Sequence, residues 1–158
     1  MNVLERLKGF SPESILGSTE FRGDLTVTVR KDDIVRVAGF LQSAADLAFD
    51  MLIDVVGIDR FTPGDRFEVL YNLYSLKNTA YLRLKVLVDE ENPTVQSITG
   101  VWPAANWHER ATYDMFGIRF AGHPDLRRLY MPDEFEYFPL RKDFPLMGIP
   151  DSLPLPRR

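Results

Sequence analysis

The residues of this chain best suited to chemistry lie between Trp102 and Leu146, where charges of both signs are set among aromatics and prolines. Glu109, Arg110, Asp114, Arg127, Arg128, Arg141, Lys142 and Asp143 stand there beside Trp102, Trp107, Phe116, Phe120 and Phe144. Two neighbouring carboxylates would suit general acid–base work, but Glu109 and Asp114 are five apart and on a helix diverge by roughly 140° around its axis. They form no dyad. The two histidines, His108 and His123, are fifteen apart with no third ligand in helical register, which argues against a metal centre. His123, between Gly122 and Pro124, reads instead as a turn residue whose ring bonds a nearby carboxylate or carbonyl. No glycine-rich loop follows a strand and opens a helix, so a phosphate or dinucleotide cradle lacks its backbone. No Ser-His-Asp arrangement is suggested either, and a free-standing enzyme is the weaker reading. Charges so placed are expected to pair, Glu109 and Asp114 with Arg110 or Arg127 internally, or with another protein. Aromatics together with arginine are what buried protein interfaces enrich.

The elements that must position these groups follow from pattern. Asn106 is expected to cap a short helix, with Glu109 three residues on returning a bond to the cap, and Gly117 supplying a left-handed stop. Arg110 and Asp114 then share one face of it. Upstream, Asn2 caps a short helix whose Val3, Leu4 and Leu7 share one face, ending near Gly9. Asp24 to Arg30 alternates as a half-buried strand. Asp32 and Asp33 cap a helix carrying Ile34, Val37, Leu41, Ala44 and Ala48 at helical spacing. Met51 to Ile58 is nearly all apolar, the pattern of a strand covered on both faces. After the turn Thr62-Pro63-Gly64-Asp65, Phe67 to Leu76 forms the next strand. A third puts Leu82, Leu84, Val86 and Val88 on one face and Tyr81, Arg83 and Lys85 on the other. Asp89-Glu90-Glu91 reads as a solvated loop, and Val95 to Val101 as a short strand or an extended lead-in.

The 158 residues, 45% hydrophobic and 27% charged, suit one domain large enough to bury a core. A net charge of −4 gives no basic footprint for nucleic acid. With no cysteine, this chain offers neither disulfides nor thiolate-held zinc or iron–sulfur clusters. No apolar run approaches the ~20 residues of a membrane span, and the N-terminus lacks the order of a secretory signal. The chain is expected in the cytoplasm.

Two ordered blocks carry a resemblance. Glu109-Arg110, Asp114-Met115-Phe116-Gly117-Ile118 and Gly122-His123-Pro124-Asp125-Leu126-Arg127-Arg128, then Pro139-Leu140-Arg141-Lys142-Asp143-Phe144-Pro145-Leu146, resemble the signature of the C subunit of respiratory NADH-quinone oxidoreductase, complex I. The family usually has a second glutamate where this chain has Ala111, and Gly-His where it has Tyr137-Phe138. The resemblance covers the last third of the chain. It implies a non-catalytic subunit of the peripheral arm, on the cytoplasmic side of the plasma membrane. Flavin, iron–sulfur clusters and quinone would lie on other subunits and none on this chain. The implied partners are the D subunit that builds the quinone site and the cluster-bearing B and I subunits. Glu109, Arg110, Asp114, His123, Asp125, Arg127, Arg128, Arg141, Lys142 and Asp143 are then docking or signature residues. The equivalent subunit of a ferredoxin-fed complex, or of a membrane-bound nickel-iron hydrogenase, is the alternative.

The expected architecture is one α+β domain with a mixed or mainly antiparallel sheet, helices packed on it and an irregular proline-rich C-terminal arm. Residues 1–101 form its core, 102–138 the signature helix and loops on that core, and 139–158 the arm. Pro139, Pro145, Pro150, Pro154 and Pro156 deny the arm regular structure, while Leu140, Phe144, Leu146, Ile149, Leu153 and Leu155 recur along it. It is expected to be ordered by lying across a partner instead of packing on its own domain.

Overall fold

Strand β4 (Phe67–Ser75) is the element around which the core closes, since Phe67, Val69, Tyr71, Leu73 and Ser75 all turn inward with no exposure. The computed structural model describes residues 2–149. β4 pairs antiparallel with β3 (Met51–Asp59) on one side and β5 (Ala80–Val88) on the other, the expected meander. β5 in turn runs parallel to β2 (Asp24–Val29), so the sheet is mixed, in the order β1-β2-β5-β4-β3. Its first strand, β1 (Ile15–Phe21), is not foreshadowed by pattern. It is an exposed edge strand, joined to β2 by a two-residue turn at Arg22 and Gly23, and an edge outside the core needs no apolar alternation.

Helices α1 (Val3–Phe10) and α2 (Ile34–Ser43) cover one face of this sheet. Val3 and Leu7 of α1 join Ile34, Val37, Ala38 and Leu41 of α2 in one core with Val27, Val29, Leu84 and Val86. The Asn2 side chain accepts the Glu5 amide, as its capping role requires. Helix α2 is shorter than its apolar spacing suggests. It ends at Ser43, where Ala44 turns extended so that Leu47 and Phe49 can be fully buried, and Ala48 lies in the turn. Asp33 makes no cap bond; it bonds Arg36 instead. Strand β3 is covered on one face only. Met51, Ile53 and Val56 remain exposed because β3 is the other edge of the sheet, with helix α3 (Ala105–Phe116) on its inner side alone.

Helix α3 approaches β3 closely because Gly57 has no side chain. A Cβ there would stand 2.7 Å from Phe116 and 2.8 Å from Thr112. The Thr112 hydroxyl donates to the Val55 carbonyl at 3.3 Å across the same contact. Gly117 stops the helix in the left-handed region, with φ of 75°, as its position predicts. The chain then runs through β7 (Arg119–Ala121), which pairs in parallel with β6 (Thr94–Gln96), the short strand of the lead-in.

Candidate functional site

Glu109 does not close a capping box. Helix α3 begins two residues earlier than Asn106 would dictate, with Ala104 at the N-cap and no side-chain cap. The Glu109 carboxylate points instead into the protein, accepting the Ile98 amide at 2.8 Å and the Ser97 hydroxyl at 2.6 Å, with no exposure to water. It thereby ties the lead-in turn to the helix, beside Trp102, whose indole N–H donates to the Phe49 carbonyl. Burial outweighs the two hydrogen bonds and pushes its carboxyl up to about 7. Tyr71 also lies wholly buried, its hydroxyl without a partner among the described residues, and burial and the Glu109 charge push its ionisation well upward. An unbonded buried hydroxyl costs about 1–3 kcal/mol. Tyr71→Phe is therefore expected to raise the free energy of chemical unfolding by about 1 kcal/mol, and a loss of that size would show that the hydroxyl is bonded in solution.

Asp114 is the centre of a second cluster. One of its carboxylate oxygens accepts the amides of Leu129, Tyr130 and Met131 at 3.0, 2.6 and 3.0 Å, and the other takes Arg128 at 2.7 Å. Burial opposes the charge, but these amides and the guanidinium outweigh it and hold the carboxyl below its ordinary range. Arg110, stacked on Trp107, donates to the carbonyls of Arg127 and Arg128, and Arg128 reaches on to the Tyr137 carbonyl. Arg110 and Asp114 thus do not pair with each other. Both hold the same stretch of irregular chain, one by its carbonyls and one by its amides. Neither carboxylate pairs with Arg127 either: Arg127, largely exposed, pairs with Asp125 at 2.7 Å. His123 is the turn residue its flanks suggest. Its Nδ1 accepts the Asp125 amide, so Nε2 carries the hydrogen and donates to the Asn106 carbonyl at 3.1 Å.

A third cluster draws the end of the described chain onto the sheet, and it corrects the expectation that the arm from Pro139 lies off its own domain. The Leu140 amide donates to the Met115 carbonyl, Arg141 Nε to the Phe116 carbonyl at 2.6 Å, and the Lys142 amide to Asp59 at 2.8 Å. Asp143 pairs with Arg66 at 2.9 Å. Arg66 and Asp59, both buried, form a two-pronged pair at 3.0 and 2.8 Å, and Glu90 closes on Arg66 at 2.6 Å. Burial resists the Asp59 charge, but Arg66 with the amides of Lys142 and Phe61 hold its carboxyl at about 2. Arg141 lies between the rings of Phe67 and Phe138, and burial followed by the charge of Arg66 lowers its basicity. The acidic loop is correspondingly structural, since Glu90 meets Arg66 and Asp89 meets Lys31 at 2.7 Å. Leu146 and Met147 are almost fully exposed, and Ile149 is half-buried again, lining a groove with Tyr137, Phe138, Arg141 and Phe144. Residues 150–158, with Pro150, Leu153, Pro154, Leu155 and Pro156, lie outside the described residues.

Asp59 and Arg66 are functional-site neighbours that sequence reading passes over. Their signal is their position, an acid closing one apolar run and a base opening the next across a turn. Chemically, the three clusters bind backbone. Of the signature carboxylates, Glu109 and Asp114 are buried and bonded by donors of this chain, so neither can reach an outside substrate. Among the described residues no group of three or more His, Asp or Glu is arranged to hold a metal, and no helix is long and apolar enough to cross a membrane. What the framework presents outward is Trp107, Tyr130, Tyr137 and Leu140, all exposed, with Arg127 beside them in sequence.

Comparison with known proteins gives a consistent picture. Residues 27–150 match the family described as "Respiratory-chain NADH dehydrogenase, 30 Kd subunit". Over 144 residues the chain is 55% identical to the NADH-quinone oxidoreductase C subunit of Roseiflexus sp. (strain RS-1), spanning 91% of this chain and 83% of that one. The C subunit of the same enzyme from Geotalea uraniireducens (strain Rf4) is 48% identical over 141 residues, 89% and 84% of the two. Among solved structures, the trypsin-resistant fragment (1-134) of Nqo5 superposes with a TM-score of 0.64 at 32% identity, over 78% of this chain and 96% of the fragment. A chain of the membrane-bound sulfane sulfur reductase, an archaeal respiratory membrane complex, superposes with a TM-score of 0.76 over 92% and 85%. At 21% identity that likeness is one of fold.

Proposed function

This chain belongs to the family of the 30 kDa subunit of respiratory-chain NADH dehydrogenase, whose relatives are the C subunits of NADH-quinone oxidoreductases, and we propose that it acts there as a non-catalytic scaffold. The observation that carries this reading is the inward use of the signature charges. Glu109, Arg110, Asp114, Arg128 and Arg141 each bond backbone of the same chain, so they shape a surface instead of handling a substrate. The exposed aromatics they frame suit a protein interface. Docking is onto the D subunit that builds the quinone site, near the cluster-bearing B and I subunits, on the cytoplasmic side of the plasma membrane. The redox groups belong to other subunits; this chain has no cysteine with which to hold a cluster. Its work is to keep electron-carrying subunits in register between NADH and quinone, and so to support proton translocation by the assembly.

Arg127→Ala tests this reading. Arg127 is an exposed charge of the signature, paired among the described residues with its neighbour Asp125. The variant should lower the amount of complex recovered from native membranes severalfold, as read by mass spectrometry of copurifying subunits, with unchanged NADH:quinone activity per assembled complex. Normal assembly with abolished activity would give the residue a direct part in turnover and overturn the scaffold role. Recovery with ferredoxin-linked or hydrogenase subunits, and no flavin-bearing NADH-oxidising partner, would replace the assigned complex by its sister.

A further inference from the structure

Glu109 is a carboxyl group with no exposure and no charged partner. The nearest ionisable nitrogen, Nε2 of His123 in the turn after β7, stands 4.0 Å from Oε2 and gives its hydrogen to the Asn106 carbonyl. With Nδ1 accepting the Asp125 amide, that ring brings no charge. From β4, Tyr71 presents a buried hydroxyl that both burial and the Glu109 charge hold protonated. On its own helix, Arg110 turns away to the carbonyls of Arg127 and Arg128, and Asp114 is taken by Arg128. From the lead-in turn come only the Ser97 hydroxyl and the Ile98 amide. A carboxylate here is a buried negative charge with two hydrogen bonds and no counter-charge, the setting that favours the neutral acid.

The hydroxyls lead outward. Ser97 Oγ lies 2.6 Å from Glu109 Oε2 and 2.8 Å from Thr99 Oγ1, and Ser97 and Thr99 are both half-buried, so the pair spans from the buried carboxyl to the solvent boundary. A hydroxyl both donates and accepts, so this chain runs in either direction. With Glu109 charged, Ser97 donates to it; with Glu109 protonated, Oε2–H donates to Ser97, which donates to Thr99. We propose that Glu109 is a buried proton-binding site, filled and emptied through the hydroxyls of Ser97 and Thr99. Uptake takes one proton from bulk water, forms one O–H bond at Oε2 and changes the local charge from −1 to 0; nothing is oxidised or reduced. The inference does not depend on which subunits the chain docks against.

The test is isotope-edited infrared spectroscopy of the full chain labelled at its glutamate carboxyls. A protonated carboxylic-acid band should be present at about pH 6, where ordinary glutamates are ionised, disappear with a midpoint near 7, and be missing from Glu109→Gln. A midpoint in the ordinary carboxyl range, or a band unchanged in Glu109→Gln, would overturn the proposal. Ser97→Ala keeps the carboxyl and removes a donor that favours its charged form, so the midpoint should rise by ~0.5 pH unit or more. That variant carries the test if Glu109→Gln fails to fold, and an unmoved midpoint there would show that the serine is no part of the site. Stability gives an independent readout. The folded state holds the extra proton between the ordinary 4.5 and about 7, so unfolding free energy should fall as pH rises through that window and level off above it. In Glu109→Gln the fall should vanish, and a fall retained there would refute the assignment.

Discussion

Asp114→Ala is expected to destabilise the chain by about 3–5 kcal/mol, the range for removing one partner of a buried ion pair. The side chain of Asp114 has no exposure, that of its partner Arg128 is 9% exposed, and Arg128 would keep its charge with two carbonyls and the rings of Phe135 and Phe138 beside it but no carboxylate to meet it. The amides of Leu129, Tyr130 and Met131 would also lose their shared acceptor. They lie in a segment with no helix or strand to supply another, so the loss should open the loop from Arg127 to Tyr137 as well as weaken the fold. Asp114→Asn keeps an acceptor oxygen and gives up the charge, and should fall between the two. The pH sign follows from the lowered carboxyl. Its contribution is present above the ordinary carboxylate range and is lost as pH falls below it, a window separate from that of Glu109. Equilibrium urea unfolding of the three proteins measures the effect, and Asp114→Ala within about 1 kcal/mol of the parent would show that the loop is held by something else.

That Asp114 matters can be read from the sequence, but what it holds cannot. The helix around it is legible because Gly117 marks its end, and the meander is legible because β4, Glu68 aside, and β5 alternate against one core. Periodicity reports which face of an element is buried. It says nothing about an acceptor whose donors are amides of irregular chain fifteen to seventeen residues away. The same gap explains Glu109, whose type and spacing fit a capping box with Asn106 while its carboxylate goes to the lead-in turn. Strand β1 escapes for the opposite reason, since an exposed edge imposes no pattern on its residues. The C-terminal prolines point to an arm free of its domain. Proline forbids the helix and the ladder, yet it leaves the amides of Leu140 and Lys142 free to donate, and both find acceptors on the domain.

The pair Asp59–Arg66 should be the other point at which a single change unfolds the molecule. Their side chains are 1% and 3% exposed, and Arg66 is the hub on which β3, the Glu90 loop and Asp143 converge. Arg66→Met fills much of the same volume but leaves Asp59 buried with two amides and no cation, an uncompensated charge expected to cost about 3–5 kcal/mol. The decisive comparison is the double variant Asp59→Asn/Arg66→Met. Removing the second charge relieves the first, so the double variant should be more stable than Arg66→Met alone; two independent contributions would simply add. The carboxyl of Asp59, held at about 2, sets the matching pH test: the parent keeps this contribution above the ordinary range and loses it as pH falls toward 2. Because Lys142 and Asp143 are moored to the same two residues, Arg66→Met should also make the chain near Asp143 more open to limited proteolysis under conditions where the rest stays folded. An additive double variant, with the cleavage pattern of the parent, would show that Asp59 and Arg66 do not act as a pair and that the C-terminal segment is held mainly by Arg141 and its flanking rings.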